Sequence, residues 1–131
     1  MCIRDRGKAQ GNDHLAAIRE HFSTALGAYE ECVEWIASNY KDHIREVHAG
    51  SVPFLKLSGI VAGGWQMARA ALLAQERLDA GKSADENSFY EAKIVTARFF
   101  ADHLLAQVPG LRHAVIRGAA GTLGLENDQF Q

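Results

Sequence analysis

Six histidines, His14, His21, His43, His48, His103 and His113, are the first place to look for metal or acid–base chemistry. The residues three before them are Gly11, Ile18, Tyr40, Arg45, Phe100 and Gly110. None completes the Glu-x-x-His pair that a di-iron helical bundle requires. His43 and His48 are five apart and splay around a helix instead of sharing a face. Glu30 and Glu34 do share a face and could form an acid/base pair. On a helix side already rich in charge they read as solvated carboxylates. Cys2 and Cys32 show no motif spacing, and Cys32 is expected to be a free, buried thiol. No G-x-S-x-G turn and no P-loop occurs. GIVAGG at 59–64 follows no strand, so it is not a dinucleotide loop. The residues themselves specify no catalytic centre and no metal site.

The remaining charged candidates sit among apolar residues. FYEAKIVTARFF, 89–100, carries Glu91, Lys93 and Arg98, and Arg69 lies in a similar setting. Glu91 has Ile94 and Val95 one turn on, so a cationic partner must come from elsewhere, with Arg69 or Lys56 as candidates. These groups form either structural ion pairs or solvated heads on long stems. The alternative is that Arg69 or Arg98 points outward to a partner domain or a phosphate.

The elements that must position these residues are helical. Alanine is the commonest residue, the chain has two prolines, and no segment alternates as a strand would. The organising stretch is 53–78, PFLKLSGIVAGGWQMARAALLAQERL, an apolar helix interrupted by Gly59, Gly63 and Gly64. Each helical glycine costs about 1 kcal/mol relative to alanine, which calls for a compensating close approach. Gly59 and Gly63 are four apart, so the spacing predicts a groove on one face for a neighbouring helix, a ligand or another domain.

Before it, 13–39 shows a helical period, capped at Asn12 or Asp13. Leu15, Phe22, Tyr29 and Ile36 form one row. Ile18, Ala25 and Cys32 form a second, and Leu26, Val33 and Tyr40 a third. A short helix is expected over 42–48, with Ser51 as a possible cap for the central helix and Gly81 at its end. A third helix runs over 85–106, capped by Ser83 or Asp85. Its buried side is expected to be Phe89, Ala92, Val95, Thr96, Phe99, Phe100 and Leu104. Pro109 opens a fourth, over 109–120, with Leu111, Val115 and Ile116 inward. The tail from Leu125 could return Phe130 to the bundle. The expected architecture is all-α, an antiparallel bundle of about four helices. The domain spans 13–131, and residues 1–12 form a disordered or non-native leader, because MCIRDR resembles a translated sequencing adapter and Gly7 to Asn12 is polar.

With 131 residues, 47% apolar and 23% charged, the chain is one ordinary domain with one core. A net charge of −2 without a basic run argues against nucleic acid. Twelve uncharged residues between Lys56 and Arg69 are too few to cross a bilayer, which needs about 20. A cytoplasmic location is expected.

Two blocks carry a family resemblance. The first is PFLKLSGIVAGGWQMARAAL, 53–72, with Gly59, Val61, Gly63, Gly64, Trp65, Ala68 and Arg69. The second is FYEAKIVTARFFADHLL, 89–105, with Phe89, Tyr90, Ala92, Lys93, Thr96, Ala97, Arg98 and Phe99. Together they resemble the acetyl-CoA dehydrogenase-like C-terminal domain of the acyl-CoA dehydrogenase flavoenzymes, including the 3-methylmercaptopropionyl-CoA dehydrogenase type. The resemblance covers about 13–130. It implies a parent enzyme that oxidises an acyl-CoA to the 2-enoyl-CoA with FAD, a glutamate base and an acyl-CoA pocket in upstream domains. It transfers no catalytic and no cofactor-binding residue to this chain, and this chain alone is expected to bind no FAD. The implied partners are the upstream catalytic domains and other copies of the parent. The implied role is packing and shaping of the subunit interface, with Gly59, Gly63, Gly64, Trp65, Arg69, Tyr90, Lys93 and Arg98 as contact candidates. An exposed apolar patch is expected near Phe54, Trp65 and the outer face of the third helix. The competing readings are a free-standing helical interaction module and a bundle with a ligand pocket at Trp65 and Tyr90.

Overall fold

The computed structural model describes residues 3–81 and 83–130, with side chains from Asn12 onward. Among the described residues there is no strand. The helices are α1 (Ile3–Asn39), α2 (Ile44–Ala49), α3 (Ser51–Asp79), α4 (Ala84–His103), α5 (Val108–Arg117) and α6 (Ala119–Thr122). Short 3₁₀ turns cover Leu105–Gln107 and Asn127–Phe130. At 1.5 Å per residue, α1 is about 55 Å long.

Three long helices and α5 make the bundle. α1 and α3 run antiparallel, with Tyr29 stacked on Phe54 at 5.9 Å. α3 and α4 are antiparallel across a tight turn at Gly81, whose φ of 69° is the one positive value among the described residues. Glycine takes that conformation at no steric cost, and it ends α3 as its spacing predicts. Ser83 caps α4 by accepting the Glu86 N–H at 3.4 Å. α1 and α4 run parallel: Arg98 reaches Asp13 and His14, and one turn on Asp102 reaches His21.

The core is built from small and branched residues. Ile18, Ala25 and Cys32 of α1 meet Leu57, Val61, Ala71 and Ala74 of α3, Ile94, Ala97 and Ala101 of α4, and Val108 and Val115 of α5. Of the three rows on α1, the Ile18–Ala25–Cys32 row is buried. The Leu26–Val33–Tyr40 row is exposed, at 38, 41 and 59%.

Several expectations are corrected. α1 begins at Ile3, not at an Asn12 or Asp13 cap. Gly7 and Gly11 lower helix propensity without forbidding the helix. Ser51 does not cap α3: its hydroxyl donates back to the His48 carbonyl at 2.8 Å. α4 is turned relative to the predicted face. Phe89, Ala92, Val95, Thr96 and Phe99 are exposed, whereas Ile94, Ala97 and Ala101 face inward. Two alanines let the α4 backbone come close to α3, and the bulkier residues are left outside. Phe130 stays 71% exposed instead of returning to the bundle.

Candidate functional site

The glycines of α3 separate into different roles. A Cβ at Gly59 would meet nothing within 4 Å, so no neighbour uses that position. A Cβ at Gly63 would lie 3.0 Å from the tip of the Phe100 ring. At Gly64 it would fall 2.6 Å from a Leu105 methyl. Within this chain the close approach therefore involves Gly63, against Phe100 of α4, and Gly64, against Leu105 in the turn that follows, while the face at Gly59 is open. Sequence reading missed a fourth position. Gly50, between α2 and α3, lies against the α5 backbone, where a Cβ would sit 2.9 Å from the Val115 carbonyl oxygen.

Among the charged candidates, Arg98 is tied into the bundle. Its Nε donates to Asp102 at 2.8 Å, its guanidinium lies 3.7 Å from Asp13, and it contacts His14 Nδ1 at 3.3 Å. The other Asp102 oxygen lies 3.1 Å from His21 Nε2. The hydrogen bond from Arg98 holds the Asp102 carboxyl below its ordinary 3.8, against an opposing effect of desolvation. The same bond raises Arg98. Sequence separations of 81 and more hid this cluster. A second cross-link joins Arg112 to Glu31 at 2.8 Å. Glu91 is in no ion pair among the described residues. Arg69 lies over the Trp65 ring at 4.8 Å and Lys93 over Phe89 at 5.2 Å. Tyr90 is half-buried and meets Phe89 edge-on. Burial pushes the Cys32 thiol up, which keeps it protonated and unreactive.

The most distinctive surface is the seam between α1 and α3. Two open hollows lie along it, on either side of the Tyr29–Phe54 stack. One is lined by Val33, Ile36, Ala37, Tyr40 and Phe54. The other is lined by Phe22, Leu26, Tyr29, Ser58, Val61, Ala62 and Trp65. Tyr90 lines neither, so the expected Trp65–Tyr90 pocket does not form. Along α1 and into the turn at its end, lining residues recur at 22, 26, 29, 33, 36 and 40, an alternating spacing of four and three. That is the pattern of a helix face made to receive another helix. α3 repeats it at 54, 58, 61 and 65.

The chemistry of this lining is apolar. No charged side chain contributes to it, and the Ser58 hydroxyl already donates to the Phe54 carbonyl at 2.8 Å. A flavin dinucleotide carries a pyrophosphate that needs cationic or N–H partners. The hollows supply none beyond the tips of Tyr29, Tyr40 and Trp65, so these residues do not fit that cofactor. Among the described residues no His, Cys, Asp and Glu cluster could hold a metal, and no helix is long and apolar enough to cross a membrane.

Comparison with known proteins matches residues 3–126 to the family model described as acetyl-CoA dehydrogenase C-terminal like. A 3-methylmercaptopropionyl-CoA dehydrogenase of Ruegeria pomeroyi is 32% identical over 99 residues, 76% of this chain. The broad-specificity linear acyl-CoA dehydrogenase FadE5 of Mycobacterium tuberculosis is 41% identical over 70 residues, 53% of this chain. The matched regions are 16% and 12% of those proteins' lengths.

Proposed function

Because the chain belongs to the acetyl-CoA dehydrogenase C-terminal-like family, we propose that it is the packing domain of an FAD-dependent acyl-CoA dehydrogenase. In this reading the parent oxidises an acyl-CoA to the 2-enoyl-CoA in the cytoplasm. The flavin, the base and the acyl-CoA pocket belong to catalytic domains outside this chain. The helical domain packs on those domains and shapes the contact between copies of the parent.

The observation that carries the reading is the apolar surface left open on three helices. Val33 of α1 and Tyr40 just after it, Trp65 and Leu72 of α3, and Phe89 and Phe99 of α4 are each 41–60% exposed. Single exposed apolar residues are ordinary, but rows along helices mark a surface meant to be covered. Trp65, Arg69, Tyr90 and Lys93 lie at or near these rows as contact residues, while Gly63 and Gly64 set the internal spacing that holds α3 against α4.

The test is to express the complete product of the gene and measure its visible flavin absorbance and acyl-CoA-dependent reduction of an electron acceptor. The proposal expects both, and expects neither from the present chain alone. Flavin held by this chain, or a complete product without acyl-CoA dehydrogenase activity, would refute it. The second result would leave a free-standing helical interaction module.

A further inference from the structure

The α1–α3 seam carries a charge pattern that says what covers it. Arg19 and Glu30 are exposed and eleven apart on α1, three turns of helix, so they fall nearly on one line. Lys41 is exposed in the turn just past α1, where the His43 N–H donates to the Asn39 carbonyl at 2.8 Å and carries the helical path one turn further. Arg19 stands one heptad before Leu26, at the head of the Leu26–Val33–Tyr40 row, and Glu30 is one turn after Leu26. The line therefore runs along the solvent side of the apolar row as its rim. None of the three is in an ion pair among the described residues. Their order along the chain is cation, anion, cation.

That order disfavours a second copy of the chain. Two α1 seams packed in parallel about a twofold axis bring each rim residue near its own copy. Packed antiparallel about the middle of the seam, Arg19 comes near Lys41 of the other copy, and Glu30 near Glu30 and Glu34. In both directions like charge meets like. Such juxtaposition adds little to affinity in magnitude, but it selects against the wrong partner.

We infer that the α1–α3 seam receives a single amphipathic helix of about 18 residues from a different polypeptide segment. That helix has an apolar face at alternating spacings of three and four, and a rim that is acidic, basic and acidic in order against Arg19, Glu30 and Lys41. The length follows from the seam, which runs from Phe22 to Tyr40, about 27 Å at 1.5 Å per residue. The apolar face supplies the burial, with anchors entering the hollow beside Trp65 and the hollow beside Tyr40. The charged rim sets direction and partner. Assigning that helix to the catalytic body of the parent enzyme rests on the reading above, whereas the preference of the seam is a property of the chain itself.

The experiment uses the purified chain and two synthetic helical peptides of about 18 residues. Both carry the same apolar face. One has the acidic–basic–acidic rim and the other the inverted rim. Binding is titrated by calorimetry, and the chain's oligomeric state is measured by sedimentation. The expected result is a monomeric chain that prefers the first peptide about tenfold, from three reversed rim contacts of modest strength. Val33→Asp, at an exposed position, removes binding of both peptides and leaves the helical content unchanged. The triple substitution Arg19→Glu, Glu30→Lys and Lys41→Glu exchanges the preference. Equal binding of the two peptides, binding that survives Val33→Asp, no binding, or a dimer that buries the seam would each overturn the inference. These outcomes are independent of whether the parent enzyme carries flavin.

Discussion

Replacing Gly59, Gly63 and Gly64 one at a time with alanine tests the packing of α3 within a single helix. All three are helical, so each substitution gains up to about 1 kcal/mol of helix propensity. What differs is the space for the new methyl. At Gly59 nothing lies within 4 Å, and the gain should be kept. At Gly63 the methyl would meet the Phe100 ring tip at 3.0 Å. That ring is half-buried and can yield by a few tenths of an ångström, so the net effect should be near zero. At Gly64 the methyl would meet Leu105 at 2.6, 3.1 and 3.1 Å. Leu105 is 2% exposed and has nowhere to move. Overpacking of that kind costs about 1–3 kcal/mol, so after the propensity gain the net loss should be about 0–2 kcal/mol. The separation between Gly59→Ala and Gly64→Ala is then about 1–3 kcal/mol, or roughly 4–12 °C in Tm for a chain of this size. Thermal unfolding followed by helical circular dichroism reads it directly. A Gly64→Ala variant as stable as Gly59→Ala would refute the packing assigned here to α3 and α4.

Gly50→Ala should destabilise by at least as much as Gly64→Ala, because its methyl would meet the Val115 backbone, which cannot rotate away. Chemical denaturation of the two variants compares them. Ala97→Leu should destabilise by about 1–3 kcal/mol, whereas Phe99→Ala on the outer face of α4 should change stability by less than about 0.5 kcal/mol. The reverse ranking would mean that α4 is turned the other way. Asp102→Asn should remove an acid-dependent part of the stability. The folded Asp102 titrates below its unfolded value of 3.8, so its contribution is present above that pH and is lost as pH falls through the lower folded value. Unfolding curves of wild type and variant should differ at neutral pH, begin to approach each other as pH falls below 3.8, and converge once it is below the folded Asp102 value. Cys32 should resist alkylation in the native chain and react quickly in denaturant, which a thiol-reactive dye monitors.

The helices were legible in the sequence because their signals are local. The α1 rows, Pro53 in the first turn of α3, the Ser83 cap and the Gly81 stop each depend on residues within a turn or two. The side of α4 that faces inward was not legible. Both its Phe89–Val95–Phe99 side and its Ile94–Ala97–Ala101 side are apolar, and periodicity reports a face without saying which neighbour it meets. The inward side is set by long-range packing: Gly63 and Gly64 of α3 make room for the Phe100 ring and the Leu105 side chain, and Ala97 and Ala101 are buried. Likewise the Gly59–Gly63 spacing was real, but open space at Gly59 comes from the placement of α1 and α4 around α3. The Arg98–Asp102–His21 cluster joins residues from opposite ends of the chain, and only the fold brings them together. Of the three apolar rows read along 15–40, Ile18, Ala25 and Cys32 went to the core, while Leu26, Val33 and Tyr40 were left open, and periodicity alone could not assign them.

The most direct test of the account compares amide hydrogen exchange in this chain alone and in the complete gene product. The account predicts that α1 around 22–40 and α3 around 54–72 become more protected in the complete product, while the Ala97–Ala101 side of α4, already internal, changes little. Equal exchange of the α1–α3 seam in the two proteins would contradict it.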